Sequence, residues 1–287
     1  MIKTNPIIWL NIALQANNPL TAITIIATIK PLHTAINNHG YFGALFERYG
    51  RKDWVRQARQ GNLKALQWLD RVEAAQKRGS KRWENVNIKP ATTWAMDTAA
   101  EYGHLDIIIW LHNNRTEGCT KWAMDWAARY GHLHVIKWLH ENRTEGCTTW
   151  AMNYAVRCGH LDIVKWLHNN RTEGCTTSAM KYAIENGNLK VIKWLHENRT
   201  ECCSNREMDF AAERGHLDIV IWLHKNRTEG CTTSAMDCAA KNGHLDIVIW
   251  LHNNRTEGCS KWAMSKAARY GHQHVVKWLQ ENIPMLF

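Results

Sequence analysis

The 287-residue sequence lacks several features that mark catalytic and membrane-bound proteins. It has no phosphate-binding glycine-rich loop and no G-x-S-x-G nucleophile motif, which argues against the catalytic sites that those motifs build. No apolar stretch is long enough to predict a membrane span, and Asn5, Asn11 and Gln15 interrupt the stretch after Met1 where a signal peptide would need an apolar run. We therefore expect neither an enzyme nor a membrane protein.

What the sequence does contain is a repeat. A glycine recurs every 28 residues, with an alanine-rich run before it and an apolar run after it, as in AMDWAARYGHLHVIKWL around Gly131. The apolar residues on both sides recur at helical spacing, so Gly131 predicts the turn between two short helices. Because isolated helices of about ten residues are marginal in water, stacked copies must share one core. The turn glycines are Gly103, Gly131, Gly159, Gly187, Gly215, Gly243 and Gly271.

The repeat unit resembles the ankyrin repeat. Its A-A-x-x-G-H-L core is present at residues 99–105, 127–133, 211–217 and 239–245, with near copies in the other units. This resemblance implies an all-α, ankyrin-type helical repeat solenoid of about eight helix pairs.

The unit departs from the family pattern in two ways. Trp122-Ala123-Met124-Asp125 replaces T-P-L-H, which predicts that the Thr and His hydrogen bonds of the usual helix start are missing. The family repeat has about 33 residues, and the loss here falls in the loop NRTEGCTT, so we expect shortened loops in place of β-hairpins. Short Trp-rich units with such loops look like those of giant viruses of amoebae and some microbial eukaryotes.

The repeat pattern divides the chain into four segments. Residues 1–50 do not repeat, residues 51–90 read as a degenerate first repeat with a basic insertion, residues 91–282 hold seven ankyrin-like repeats, and residues 283–287 form an apolar tail. Two interpretations of residues 1–50 stay open: a helical cap over the first repeat, or an F-box-like segment. The F-box interpretation rests on a distant resemblance and implies that residues 6–46 dock a ubiquitin-ligase adaptor, although Pro31 falls in the adaptor-binding region. The matching residues are Pro6, Ile8, Trp9, Ile12, Leu20, Ile23, Ile26, Tyr41, Leu45 and Phe46.

Charge and cysteine content restrict the partners and the compartment. The net charge is +10, but basic residues are interspersed and each loop pairs an Arg with a Glu, as in Arg115 and Glu117, which argues against nucleic acid as the partner. One cysteine recurs per repeat, at Cys119 and every 28 residues onward to Cys259. Stacked copies lie about 8 to 10 Å apart, too far for a disulfide. Free thiols imply a reducing compartment, hence a cytoplasmic location, in a host cell if the viral likeness holds.

Twelve of the 16 histidines also follow the repeat, so each of these recurs one layer away from its copy. A zinc site needs several ligands that converge on one point. We therefore expect no metal and no cofactor.

Positions that differ between repeats predict the binding surface. In ankyrin proteins the pair before the turn glycine lies on the concave side and carries much of the partner recognition, so the resemblance implies a partner protein bound there. One helical turn earlier, a mostly aromatic position also varies; for any one of these aromatics, packing between neighbouring first helices is the alternative. A substrate receptor for a ubiquitin ligase is the second function that the sequence suggests. The candidate binding residues are Thr98, Glu101, Tyr102, Trp126, Arg129, Tyr130, Tyr154, Arg157, Tyr182, Glu185, Phe210, Glu213, Arg214, Lys241, Arg269 and Tyr270.

Overall fold

The computed structural model describes residues 53–199 and 206–283. Within these ranges the chain forms sixteen α-helices in eight consecutive pairs, one short 3-10 helix over Lys81–Trp83 and no strand, which confirms the predicted all-α fold and the shortened loops. The cap, F-box-like and C-terminal tail interpretations fall on residues outside the described ranges, apart from Ile283.

Each pair consists of a first helix and a second helix joined by a tight turn. The first helices are α1 (Trp54–Arg59), α3 (Thr93–Glu101), α5 (Lys121–Arg129), α7 (Thr149–Cys158), α9 (Ala179–Glu185), α11 (Glu207–Arg214), α13 (Thr233–Lys241) and α15 (Trp262–Arg269). The second helices are α2 (Leu63–Lys77), α4 (Leu105–Asn114), α6 (Leu133–Asn142), α8 (Leu161–Asn170), α10 (Leu189–Asn198), α12 (Leu217–Asn226), α14 (Leu245–Asn254) and α16 (Gln273–Asn282). None of these described helices combines the length and the apolar character needed to cross a bilayer.

The chain divides into two compact units between Ala123 and Met124, within α5. In the C-terminal unit the first helices α7, α9, α11, α13 and α15 form a row in which each packs on the next, and α12, α14 and α16 form a second row. In the N-terminal unit α1 packs on α3. These rows are the layers of a helical repeat solenoid.

Small side chains set the spacing of the first-helix row. Ala151 and Ala155 on α7, and Ala179 and Ala183 on α9, are fully buried. Alanine at a helix contact lets two helices approach closely, whereas the second helices bury larger residues such as Leu167. Burial of this shared surface explains why helices of seven to ten residues are stable in the stack.

In five repeats a histidine packs on the turn glycine of the repeat before it. Gly243 has φ +79°, which only glycine adopts readily, and a Cβ placed there would lie 2.5 Å from Nδ1 of His272. The histidine ring therefore contacts the turn of the preceding repeat. The same contact joins His104 to Gly61, His160 to Gly131, His216 to Gly187 and His244 to Gly215.

A carboxylate on four of the first helices, and an asparagine on a fifth, connects its helix to the next repeat. Asp125 is 1% exposed and accepts hydrogen bonds from the Thr148 backbone N–H at 2.9 Å and from its hydroxyl at 2.7 Å. The Thr148 hydroxyl accepts in turn from the Trp150 N–H at 3.1 Å and so caps α7. The prediction that threonine hydrogen bonds are missing at the helix start is therefore wrong: the threonine lies two residues earlier than the aligned position. The equivalent pairs are Asp97 with Thr120, Asn153 with Thr176, Asp209 with Thr232 and Asp237 with Ser260.

The loops between repeats carry partly buried ion pairs. Arg171 donates to Glu173 at 2.5 Å, and both side chains are 24% exposed, so the loop charges are more buried than a freely solvated surface would make them. The second guanidinium nitrogen of Arg171 lies 3.4 Å from Nδ1 of His140 in the preceding repeat. Although burial acts in the opposite direction, the hydrogen bond from Arg171 lowers the pKa of Glu173 to about 2.

The second helices are also linked by ring contacts. In five second helices the histidine of the last turn meets the tryptophan of the next second helix edge-on, with ring centroids 5.1 Å apart for His168 and Trp194. The other contacts of this kind join His140 to Trp166, His196 to Trp222, His224 to Trp250 and His252 to Trp278.

The basic insertion of the first repeat occupies residues 70–89. Helix α2 continues through its first part to Lys77, and Trp83 then packs edge-on against Trp68 with ring centroids 5.8 Å apart. The Gln76 side-chain amide donates to the Trp83 carbonyl at 2.7 Å. These contacts fold the insertion back onto α2.

Candidate interaction surface

The candidate surface is formed by the ends of the first helices, next to the turn glycines. Helical spacing places the aromatic position and the pair before each glycine on adjacent turns of the same helix. In α5 this brings Trp126, Arg129 and Tyr130 together, with Arg129 and Tyr130 exposed and Trp126 half-buried. Tyr130 is 47% exposed, which is high for a large aromatic residue in a folded domain.

Arg129 lies between two tyrosine rings. Its guanidinium carbon is 5.4 Å from the ring centroid of Tyr130 and 5.3 Å from that of Tyr154, in the next repeat. Tyr154 in turn stacks on Trp150, with ring centroids 5.2 Å apart. Cation–π and stacking contacts of this kind hold side chains in place without burying them. The four residues, Tyr130, Arg129, Tyr154 and Trp150, are named the aromatic cluster below.

The cation-over-ring contact continues in the next two repeats. Arg157 lies 5.7 Å from the ring centroid of Tyr182, and Lys181 lies 4.9 Å from that of Phe210. Arg157 and Lys181 are exposed, while Tyr182 and Phe210 are half-buried. The aromatic ring at this position therefore packs between neighbouring repeats. It also holds a cation that is exposed to solvent.

The middle of the C-terminal unit is acidic at the same positions. Glu185 and Glu213 stand where Arg129 and Arg157 stand in the earlier repeats. Glu185 forms an ion pair with Arg214 at 3.7 Å and a longer one with Lys181 at 3.8 Å. The surface thus changes from basic to mixed charge along the row of first helices.

The last repeats of that unit are basic again. Lys241 lies 5.9 Å from the ring centroid of Tyr270, and Arg269 and Tyr270 are both exposed. Lys266 lies 5.9 Å from the ring centroid of Trp262.

In the N-terminal unit the candidate residues differ in exposure. Tyr102 is 43% exposed and lies 5.6 Å from the guanidinium of Arg59, while Glu101 is half-buried. Thr98 is 2% exposed, because the small side chain at this position lies within the core of its repeat. Its inclusion in the candidate surface is corrected: Thr98 presents no side chain to a partner.

Sequence reasoning missed a set of exposed tryptophans at the start of the first helices. Trp94, Trp122, Trp150 and Trp262 are 53%, 44%, 41% and 60% exposed. The other repeats have Ser178, Arg206 and Ser234 at this position. The same comparison between repeats that found the other variable positions would have found this one.

No cluster of three or more His, Cys, Asp or Glu side chains among the described residues could hold a metal ion. None of the seven described cysteines forms a disulfide, and burial raises the pKa of Cys147 to about 12 and that of Cys231 to about 11. Such thiols stay protonated at neutral pH and are poor nucleophiles. A row of stacked helix pairs with an exposed variable surface defines the class of helical repeat proteins.

Comparison with family models identifies the kind of helical repeat in this chain. Models described as ankyrin repeats match residues 96–140, 124–206 and 208–252, which together cover more than half of the chain. The chain therefore belongs to the ankyrin-repeat proteins. Ankyrin repeats indicate a protein–protein interaction module, and ankyrin-repeat proteins are generally non-catalytic scaffolds. No curated protein matches the chain significantly.

Proposed function

We propose that the chain is a non-catalytic binding module that contacts a partner protein through the first-helix surface. This surface lies in the C-terminal unit and is defined by Trp126, Arg129, Tyr130, Trp150, Tyr154, Arg157, Tyr182, Glu185, Phe210, Glu213, Arg214, Lys241, Arg269 and Tyr270. Glu101 and Tyr102 in the N-terminal unit are a separate candidate contact. The observation that carries the proposal is the aromatic cluster, in which exposed Tyr, Trp and Arg side chains are held in fixed positions. These three residue types dominate the binding energy of protein interfaces.

Variation between the repeats supports the same assignment. The residues that fill the core hardly change: Ala155, Ala183, Ala211 and Ala239 occupy one position and are all fully buried. The residues of the first-helix surface change from one repeat to the next in charge and size. Packing requires a repeated residue, whereas recognition of an irregular partner requires different residues along the row.

Close packing of the first helices supports a concave position for this surface. Within the C-terminal unit the alanine-lined first helices pack on one another more extensively than the second helices do. A row with closer neighbours lies on the inner side of a curved stack. A concave surface lets one partner contact several repeats at once.

The test is recovery of a partner by affinity purification of the tagged chain, compared with an Arg129→Ala, Tyr130→Ala variant. Both residues are exposed, so we expect loss of the partner with little change in Tm. The matched control is Lys137→Ala, Lys165→Ala, which changes two exposed residues on second helices. If the control loses the partner and the first variant keeps it, the first-helix surface is the wrong face.

The F-box-like pattern in residues 6–46 supplies the second candidate function. A substrate receptor would dock a ubiquitin-ligase adaptor through that segment and select its target through the repeats. Deleting residues 1–50 tests this in the same purification. Loss of co-purified cullin-ligase subunits with an unchanged set of other partners supports the receptor; identical partners for both chains, without ligase subunits, support the cap.

A further inference from the structure

One pair of cations on the first-helix surface stands apart from the other charges. Arg129 and Arg157 occupy the same position in neighbouring repeats, and both are exposed. Among the described residues no carboxylate pairs with either one, although most other arginines of that unit have an acidic partner or a histidine partner. Instead, both guanidinium groups lie over tyrosine rings.

A guanidinium held over an aromatic ring still has its N–H groups available. Five N–H donors lie in the plane of the group, and stacked rings cover its faces rather than its edges. Arg129 lies between Tyr130 and Tyr154, and Arg157 lies over Tyr182, so both are positioned before any ligand binds. Donors placed in this way suit bidentate hydrogen bonds to carboxylates.

The repeat spacing fixes the separation of the two donors. Equivalent positions on packed helices are about 8 to 10 Å apart. A segment in the extended polyproline II conformation has three residues per turn and rises about 3.1 Å per residue, so side chains three residues apart lie on the same side and about 9 Å from each other. Two carboxylates at positions i and i+3 of such a segment therefore match Arg129 and Arg157.

The charges in the next two repeats restrict the bound anion to a short one. Glu185 and Glu213 occupy the next two copies of this position, so a continuous polyanion laid along the row would meet two carboxylates. Such repulsion disfavours a nucleic-acid backbone, which carries a phosphate at every nucleotide. A peptide with two acidic residues at one end fits the change from basic to acidic residues along the row of first helices.

We propose that Arg129 and Arg157, with Tyr130 and Trp150 beside them, bind an acidic extended segment of the partner protein that carries carboxylates three residues apart. This proposal rests on the proposed function and adds the chemistry of the partner. The exposed rings of Tyr130 and Trp150, 47% and 41% exposed, supply the apolar contact that flanks the two ion pairs.

The test measures binding of fluorescein-labelled 13-residue peptides to the full chain by fluorescence anisotropy. One peptide has glutamate at every third position, a second has the same composition with the glutamates adjacent, and a third replaces glutamate with lysine. We expect the first peptide to bind about fivefold more tightly than the second, and the lysine peptide not to bind. Arg129→Ala, Arg157→Ala should weaken the first peptide at least tenfold, and Arg129→Lys, Arg157→Lys should give an intermediate loss.

Lys137→Ala, Lys165→Ala is the matched control, because it also removes two exposed cations from neighbouring repeats, but on the second helices α6 and α8. It should leave the affinity within twofold. Equal losses in the control and in Arg129→Ala, Arg157→Ala, equal binding of both acidic peptides, or no acidic binding would overturn the proposal, as would tighter binding of single-stranded oligothymidine through the same two arginines. If selected non-acidic peptides bind instead and require Tyr130, the acidic partner is wrong while the proposed function stands.

Discussion

At the scale of single residues, the turn glycines meet two separate demands. Gly243 and Gly271 have nearly the same backbone, with φ of +79° and +81°. A Cβ at Gly243 would lie 2.5 Å from the His272 ring, whereas a Cβ at Gly271 would meet nothing within 4 Å among the described residues. Comparing Gly243 with Gly271 therefore separates the cost of a left-handed backbone from the cost of a clash with the next repeat.

We expect Gly271→Ala to lower the free energy of unfolding by about 1 kcal/mol, the cost of a left-handed alanine. Gly243→Ala should cost about 2 to 3 kcal/mol, because the histidine ring must also move. Urea denaturation of the two variants measures the difference. Adding His272→Ala to Gly243→Ala should recover most of the difference in unfolding free energy between the two glycine variants. Equal costs at the two glycines would show that the ring contact contributes nothing.

At the scale of the helix, a carboxylate on four of the first helices holds the start of the next repeat. Burial raises the pKa of Asp125, against the opposing effect of the hydrogen bonds from Thr148. Asn153 makes the same connection with a neutral side chain: its Oδ1 accepts from the Thr176 N–H and its amide donates to the Thr176 hydroxyl, both at 3.1 Å. The hydrogen bonds rather than the charge are therefore what the connection requires.

We expect Asp125→Ala to destabilise the protein by about 2 to 3 kcal/mol, because it leaves buried Thr148 groups without a partner. Asp125→Asn should cost less than about 1 kcal/mol, since it reproduces the arrangement at Asn153. Thermal and urea unfolding of both variants check this. A large cost for the asparagine variant would mean that the charge itself is needed.

The loop ion pairs predict sensitivity to acid. Hydrogen bonds from their arginine partners lower the pKa of Glu229 and Glu257, and that of Glu173 falls to about 2 despite burial. Because the folded pKa is below the unfolded value of about 4.3, Glu173 stabilises the fold above pH 4.3, and this contribution is lost as the pH falls toward 2.

We therefore expect Glu173→Gln to be less stable than the unchanged chain at pH 7, and the two to converge near pH 2. Denaturation at pH 7, 4 and 2.5 measures the convergence. Glu197→Gln, at an exposed residue on α10, should leave the pH profile unchanged. A gap between the chain and the Glu173→Gln variant that stays constant with pH would contradict the assignment.

At the scale of the whole molecule, interchangeable repeats predict tolerance to loss of one full period. Removing residues 217–244 joins His216 to Leu245. Asp209 then lies as many residues before Ser260 as it lies before Thr232 in the full chain. Because stability in repeat proteins is roughly a sum over repeats and their contacts, the shortened chain should fold with Tm lowered by less than about 10 °C. Removing residues 217–240 instead breaks the period and should abolish cooperative unfolding. Circular dichroism melts compare the two deletions.

Most of the fold could be predicted because its causes are local and repeated. The turn glycine, the alanine and leucine spacing and the A-A-x-x-G-H-L core each lie within one repeat, so the sequence shows them directly. The sequence does not show in the same way which turn each histidine contacts, or that Asp125 pairs with Thr148. Each of these contacts joins residues 23 or more positions apart. The candidate surface was predicted from variation between repeats, yet the exposure of Trp150 and the burial of Thr98 depend on neighbouring repeats.

The sequence by itself determined the period, the helix pairs, the free cysteines' spacing and the positions that vary, because a 28-residue repeat forces the same local structure in every copy. Only the tertiary structure decided which of those varied residues are exposed and which side chains hold them. Arg129 illustrates the difference: its identity is in the sequence, but its place between Tyr130 and Tyr154 exists only when one repeat packs on the next. Stacking brings distant residues together, and contact across repeats is what fixes an exposed cation in space.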